Sequence, residues 1–212
     1  MNSLPIYLIS GLGADERVFS RLDFIGHEVF HIKWITPQMH DTLETYAAKL
    51  VEQVTHSNCI LVGVSLGGML AVEMAIYLPN SNIIIISSAK SRNELPWYFK
   101  IPYIYHFVPI SLMRHGHLLA DYFFGVSNAK EKLLLKDILK NTDTHFTRWA
   151  VKAICCWKRR EGGRILLQMH GTADRIIPSR NIKNADLVKD GHHLLVLSKS
   201  EAVNKALRNL TI

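Results

Sequence analysis

The apolar positions of the first 88 residues switch between short continuous runs and helical spacing. Ile6 to Ser10 is a short apolar run that breaks at Gly11-Leu12-Gly13, and Glu28 to Ile35 is a second run rich in Val, Ile, Phe and Trp. Between Thr42 and Val54 the apolar residues fall at Leu43, Tyr46, Ala47, Leu50, Val51 and Val54. That spacing predicts a helix. Cys59 to Val64 is apolar throughout, as a strand covered on both faces requires. Leu66 to Leu78 reads as a helix stopped by Pro79-Asn80-Ser81, and Ile83 to Ser87 as a fourth strand. The pattern resumes with strands at Ile165 to Met169 and Ala185 to Val188, and a closing helix at Lys199 to Leu210. Such alternation predicts an α/β fold with a mostly parallel sheet, helices on both faces, and active groups at the C-terminal strand ends.

Residues 90–164 interrupt this rhythm. Tyr103 to Val108, between Pro102 and Pro109, is the one strand-like run there, whereas Lys130 to Lys140 and Thr144 to Trp157 look helical. The expectation is a core of residues 1–89 and 165–212, with 90–164 as a helical insertion. A chain of 212 residues fits one domain with such an insertion and can bury a sizeable core without disulfides or metal. The insertion holds 12 of the chain's 19 Phe, Tyr and Trp residues. They suit either an apolar pocket or the packing of a thin layer on the core. Trp97, Phe124, Trp149 and Trp157 are the pocket candidates.

Charge narrows the function classes once it is located. The formal net charge of +7 invites a nucleic-acid or membrane-surface reading. Residues 90–164, however, carry 14 Lys and Arg against 6 Asp and Glu, while the remainder has 11 against 12. The excess therefore belongs to the insertion, and no nucleic-acid-binding motif accompanies it. A nucleic-acid partner is not expected. Attraction of an anionic substrate, or a weak contact with an anionic membrane through Lys158, Arg159 and Arg160, competes with a simply solvated face. The N-terminal apolar stretch is too short for a signal peptide, and no apolar run approaches the ~20 residues of a membrane span. Cys59, Cys155 and Cys156 are odd in number and lack zinc spacing. They read as packing residues of a protein in the reducing cytoplasm.

The candidate chemistry begins at Gly63-Val64-Ser65-Leu66-Gly67. This G-x-S-x-G joins a predicted strand to a predicted helix, the setting of a nucleophile elbow. Glycines two positions either side let strand and helix backbones approach, and the serine hydroxyl projects above the sheet at a helix N-terminus. A serine needs a base, and the base needs an orienting carboxylate. With that elbow the chain order is serine, acid, histidine. Asp174 follows the strand at Ile165 to Met169. His192 and His193 follow the strand at Ala185 to Val188. Asp186 and Asp190 are rival acids, the first inside a strand and the second beside the base. His170, before Gly171, reads as a structural histidine. An oxyanion would be held by the N–H of Leu66, directly after the nucleophile, and by one from the Ser10-Gly11-Leu12-Gly13 loop, most simply Leu12.

The segments SGLGADERVF, GVSLGG, HGTADRIIP and DGHHLLV together resemble the α/β-hydrolase superfamily across almost the whole chain outside the insertion. The spacing is similar to that of a group of short bacterial α/β hydrolases with a W-x3-A-I-x2-W pattern, matched here by Trp149, Ala153, Ile154 and Trp157. The resemblance implies a Ser65–Asp174–His192 triad, because the adjacent glycine and the spacing to Glu201 favour His192 over His193. It also implies that 90–164 forms a helical cap over the serine. The superfamily's first two antiparallel strands have no counterpart, so about six parallel strands are expected. The usual His-Gly of the first loop is Ser10-Gly11 here. The implied activity is that of a serine hydrolase, foremost a carboxylesterase on a small apolar ester, with no metal or organic cofactor. Thioester, amide or carbon–carbon hydrolysis, and a catalytically silent small-molecule receptor, are the alternatives, since fold and triad do not set the substrate.

Overall fold

The computed structural model describes residues 3–101, 103–107, 122, 124–126, 128–140, 143–161 and 163–210. Six strands form one sheet: β1 (Ile6–Ile9), β2 (Val29–His31), β3 (Ile60–Val64), β4 (Asn82–Ile86), β5 (Ile165–Gly171) and β6 (Asp186–Val188). Their order is β2-β1-β3-β4-β5-β6, and every pair is parallel. The expected α/β sheet is thus present. The second apolar run, predicted over eight residues, is a strand only at Val29–His31. It lies at the sheet edge and pairs solely with the four-residue β1, which limits its ladder.

Side chains alternate across each strand, and the alternation divides the core in two. Tyr7, Ile9, Leu61, Ile83 and Ile85 face helices α1 (Leu43–Leu50) and α2 (Leu66–Met74). Ile6, Leu8, Ile60, Val62, Ile84 and Ile86 face the opposite layer, which contains the short helix α5 (Leu195–Ser198) and α6 (Ser200–Arg208). Thr42 caps α1, its hydroxyl accepting the Thr45 N–H while the Thr45 hydroxyl accepts the Thr42 N–H. All nine residues of α2 are buried, so it has no solvent face.

Between β4 and β5 the described residues include helices α3 (Ala129–Lys140) and α4 (Thr144–Cys155). Asp143 caps α4 through the His145 N–H. One side of α4 sinks Phe146, Trp149, Ala150 and Ile154 into the layer of α1, and the Trp149 indole donates 2.9 Å to the Asp41 carbonyl. The strand-like run from Tyr103 is instead a 3-10 turn at Ile104–His106, and Val108 lies outside the described residues. Its place in the order explains this: β4 already has β3 and β5 on its two sides, so no edge is open to it there.

A buried ion pair anchors the segment leading into β5. Glu73 of α2 is fully buried. Its carboxylate accepts the Trp157 indole N–H at 2.7 Å and the Arg159 Nε–H at 2.6 Å. Of the three consecutive basic residues, Arg159 is therefore turned inward, while Lys158 and Arg160 are exposed. Cys59 and Cys155 are buried, and burial pushes both thiols up to about 11; Cys156 is exposed rather than packed. Among the described residues no helix is long and apolar enough to cross a membrane.

Candidate active site

The β3–α2 corner forces Ser65 into a rare backbone conformation, φ 54° and ψ −120°. Positive φ is costly for a residue with a side chain, of order 1–3 kcal/mol, and persists only where neighbours over-determine it. Here the Ser65 N–H bonds the Ile86 carbonyl at 3.1 Å, and its own carbonyl accepts the Ser88 hydroxyl at 2.6 Å. The two glycines of the motif have steric reasons. A Cβ on Gly63 would overlap the Gly67 carbonyl, and one on Gly67 would overlap the carbonyls of Ile9 and Ser10. Strand, elbow and helix therefore touch backbone to backbone, and the hydroxyl stands clear of them.

The Ser65 hydroxyl lies 2.8 Å from Nε2 of His193, and the opposite ring nitrogen, Nδ1, lies 2.8 Å from Oδ2 of Asp174. His193, not His192, thus occupies the position between serine and acid. The correction has a local cause. Asp190 adopts φ 53° and Gly191 is packed against Gly171, which turns the chain sharply after β6. Successive side chains then diverge: His193 goes into the site, and the His192 ring lies against Gly125. The adjacent glycine and the spacing to Glu201, which favoured His192, do not report which way each side chain points, and that direction decides between the two.

Asp174 is held from four directions. Oδ1 accepts the N–H groups of Ile176 and Ile177, each at 2.9 Å. Oδ2 receives His193 and lies 3.1 Å from Nε2 of His170. His170 is fully buried and also donates from Nε2 to the Ile177 carbonyl at 2.7 Å, the structural role its position suggested. Burial by itself would raise the Asp174 carboxyl. The charge of His193 and the hydrogen bonds from His170 and His193 outweigh it and hold Asp174 well below the usual carboxylate range. Of the rival acids, Asp186 begins β6 and Asp190 is exposed in the turn.

The loop after β1 closes against the serine. A hydrogen bond of 3.0 Å from the Ala14 N–H to the Gly11 carbonyl forms a turn, with Gly13 at φ 70°. A Cβ on Gly11 would be 3.4 Å from Cβ of Ser65, an ordinary contact distance, so the loop backbone runs close beside the nucleophile. Leu12 borders the same cavity as Ser65. Leu66 opens α2, and first-turn N–H groups have no intrahelical acceptor.

Ser65 and His193 open into a cavity of about 300 Å³ whose walls are otherwise almost wholly apolar. Met69, Phe99, Phe124, Ile154, Ile176 and Leu194 are among its lining residues, and so is Val18, from a 3-10 turn at Glu16–Phe19 that the sequence pattern did not reveal. Phe124 is where a pocket residue was expected. The other three candidates are elsewhere. Trp97 is 70% exposed. Trp149 packs on Tyr46, and Trp157 is fixed on Glu73. Of the rings in this segment, Phe146, Trp149 and Trp157 pack on the core, Phe99 and Phe124 line the cavity, and Trp97, Tyr103, Phe107 and Tyr122 are exposed, a division that composition alone could not make. Two contacts tie the segment to the acid loop: the Tyr98 hydroxyl donates to the Ile176 carbonyl at 2.6 Å, and the Arg175 guanidinium lies 3.7 Å from the Tyr122 ring centre.

Comparison with known proteins agrees with this architecture. The family model described as "Alpha/beta hydrolase family" matches residues 5–206. Among solved structures, a thermophilic esterase from Thermogutta terrifontis is 18% identical with a TM-score of 0.73, covering 98% of this chain and 89% of that one. An esterase from Exiguobacterium antarcticum is 16% identical, TM-score 0.72, covering 98% and 91%. An enol-lactonase from Burkholderia xenovorans LB400 is 16% identical, TM-score 0.71, covering 98% and 91%. At these identities the likeness is one of fold. No curated protein matches the chain as a relative.

Proposed function

The chain belongs to the alpha/beta hydrolase family, and from that premise we propose that it is a serine hydrolase cleaving carboxylic esters with an apolar acyl group, through Ser65, His193 and Asp174. One observation carries the reading: a continuous hydrogen-bonded series from the Ser65 hydroxyl through His193 to Asp174, opening into an apolar cavity.

Each group has a role that its surroundings support. Asp174 accepts the Nδ1–H of His193, which leaves Nε2 unprotonated and aimed at the Ser65 hydroxyl. Nε2 takes the hydroxyl proton as Ser65 Oγ attacks the ester carbonyl, and Asp174 stabilises the imidazolium that results. The N–H groups of Leu66 and Leu12 receive the negative charge that develops on the carbonyl oxygen. His193 then gives its proton to the leaving alcohol, and water repeats the sequence on the acyl-enzyme. The described part of residues 90–164 acts as the cap, contributing Phe99, Phe124, Val151 and Ile154 to the cavity wall.

The choice of ester follows from the cavity. Among the described residues its apolar lining offers no counter-charge to an anionic or cationic substrate, and burying an unpaired charge there would be costly. The esterases and the lactonase of the same fold lend this support by analogy. The test is labelling with a fluorophosphonate probe, alongside turnover of a panel of neutral esters. Labelling of the wild type, its loss in Ser65→Ala and hydrolysis of apolar esters are the expected results. An unlabelled wild type would refute the activated serine, and labelling without turnover would refute the esterase.

A further inference from the structure

The Ser65 cavity does not end against solid core. A second cavity of about 290 Å³ lies beyond its wall, bordered by Trp34, Ile35, Pro37 and Phe146. Among the described residues, only Ala14 and Ile138 line both. Those two residues are therefore the partition between them.

The two halves of the partition differ in what can give. Ala14 contributes backbone and a single methyl, and its carbonyl accepts both the Ser10 hydroxyl at 2.8 Å and the Trp34 indole N–H at 2.9 Å. That side is pinned. Ile138, on α3, is 4% exposed and fills its place with a branched side chain. Both carboxylates that line the second cavity have partners: Asp15 holds Arg17 at 2.7 Å, and Asp143 accepts the His145 N–H at 2.8 Å. Trp34, Ile35, Pro37 and Phe146 give it its apolar surface.

We propose that Ile138 determines the acyl-chain specificity of the site: its side chain ends the cavity that starts at Ser65 and sets the longest acyl chain that can be seated. The proposal rests on the serine-esterase reading above. While a chain is still extending into the cavity, each added methylene should raise kcat/KM about fourfold, from ~0.8 kcal/mol per buried CH2. Beyond the partition the gain stops, because the next carbon meets Ile138.

The experiment is a chain-length profile on p-nitrophenyl esters of straight-chain acids, from acetate upward. It compares wild type, Ile138→Ala, Ile138→Phe and Val151→Ala, with fluorophosphonate labelling of each protein. Val151 borders the first cavity only, so its truncation adds volume without opening the wall. Ile138→Ala is expected to move the break in the profile to longer chains, by up to the three side-chain carbons removed. Ile138→Phe should move it to shorter ones, and Val151→Ala should leave it in place. Should Ile138→Ala fail to fold, Ile138→Val removes one methyl and should shift the break by about one carbon. Labelled proteins whose break stays put in the Ile138 variants, or moves as far in Val151→Ala, would overturn the partition. An unlabelled wild type would instead sink the parent reading, and the partition with it.

Discussion

Arg159→Met should destabilise the protein by about 3 kcal/mol, far more than loss of a surface arginine. The reason lies at Glu73, whose side chain is only 1% exposed. Arg159 supplies it with a hydrogen bond of 2.6 Å from Nε and a second of 3.1 Å from Nη2. Removing the arginine leaves a buried carboxylate that still accepts the Trp157 indole N–H on Oε1. Breaking a buried pair in this way costs roughly 3–5 kcal/mol. The lower end applies because Arg159 itself is 20% exposed, so water can reach part of the space it vacates. For a chain of this size that loss corresponds to a fall of roughly 6–12 °C in Tm. Urea denaturation of wild type, Arg159→Met and the double variant Glu73→Met/Arg159→Met provides the assay. The double variant removes the uncompensated charge and forfeits only the indole's partner, so it should be more stable than Arg159→Met. A loss below about 1 kcal/mol, the range of an exposed pair, would refute the reasoning. So would a double variant less stable than the single one.

Two further outcomes follow from the corner and the acid. Gly67→Ala places a Cβ against two backbone carbonyls that cannot turn aside, so a loss of about 3 kcal/mol in denaturant unfolding is expected; a loss under 1 kcal/mol would contradict the close approach. Asp174 is held below its ordinary range in the folded chain, so its ionisation adds stability above the unfolded value of about 3.9, and this is lost as pH falls through the folded one. The stability of wild type relative to Asp174→Asn should therefore fall between about pH 4 and pH 2, and a gap that widens there would contradict the assignment.

The strands and the elbow were legible because their causes are local. Continuous apolar runs mark strands buried on both faces, and Gly63 and Gly67 are required by the tight corner that presents Ser65. Asp174 could be placed by its position after a strand. His193 could not be told from His192, because the distinction is one of side-chain direction set by a turn at Asp190 and Gly191. Nor could aromatic content locate the cavity: Trp157 is where it is because Glu73 is buried beneath it, a pairing across 84 positions of sequence. Val18 escaped notice because a four-residue 3-10 turn is too short to show a period.

The assignment of His193 is the point on which the mechanism turns. Steady-state kinetics of His193→Ala and His192→Ala on the best neutral ester, both checked for native folding, test it most directly. His193→Ala should lower kcat by about 10^4-fold or more, since it removes the group that takes the Ser65 proton. His192→Ala, whose ring lies against Gly125, should stay within about tenfold of wild type. The reverse order, or two variants equally impaired, would contradict the account.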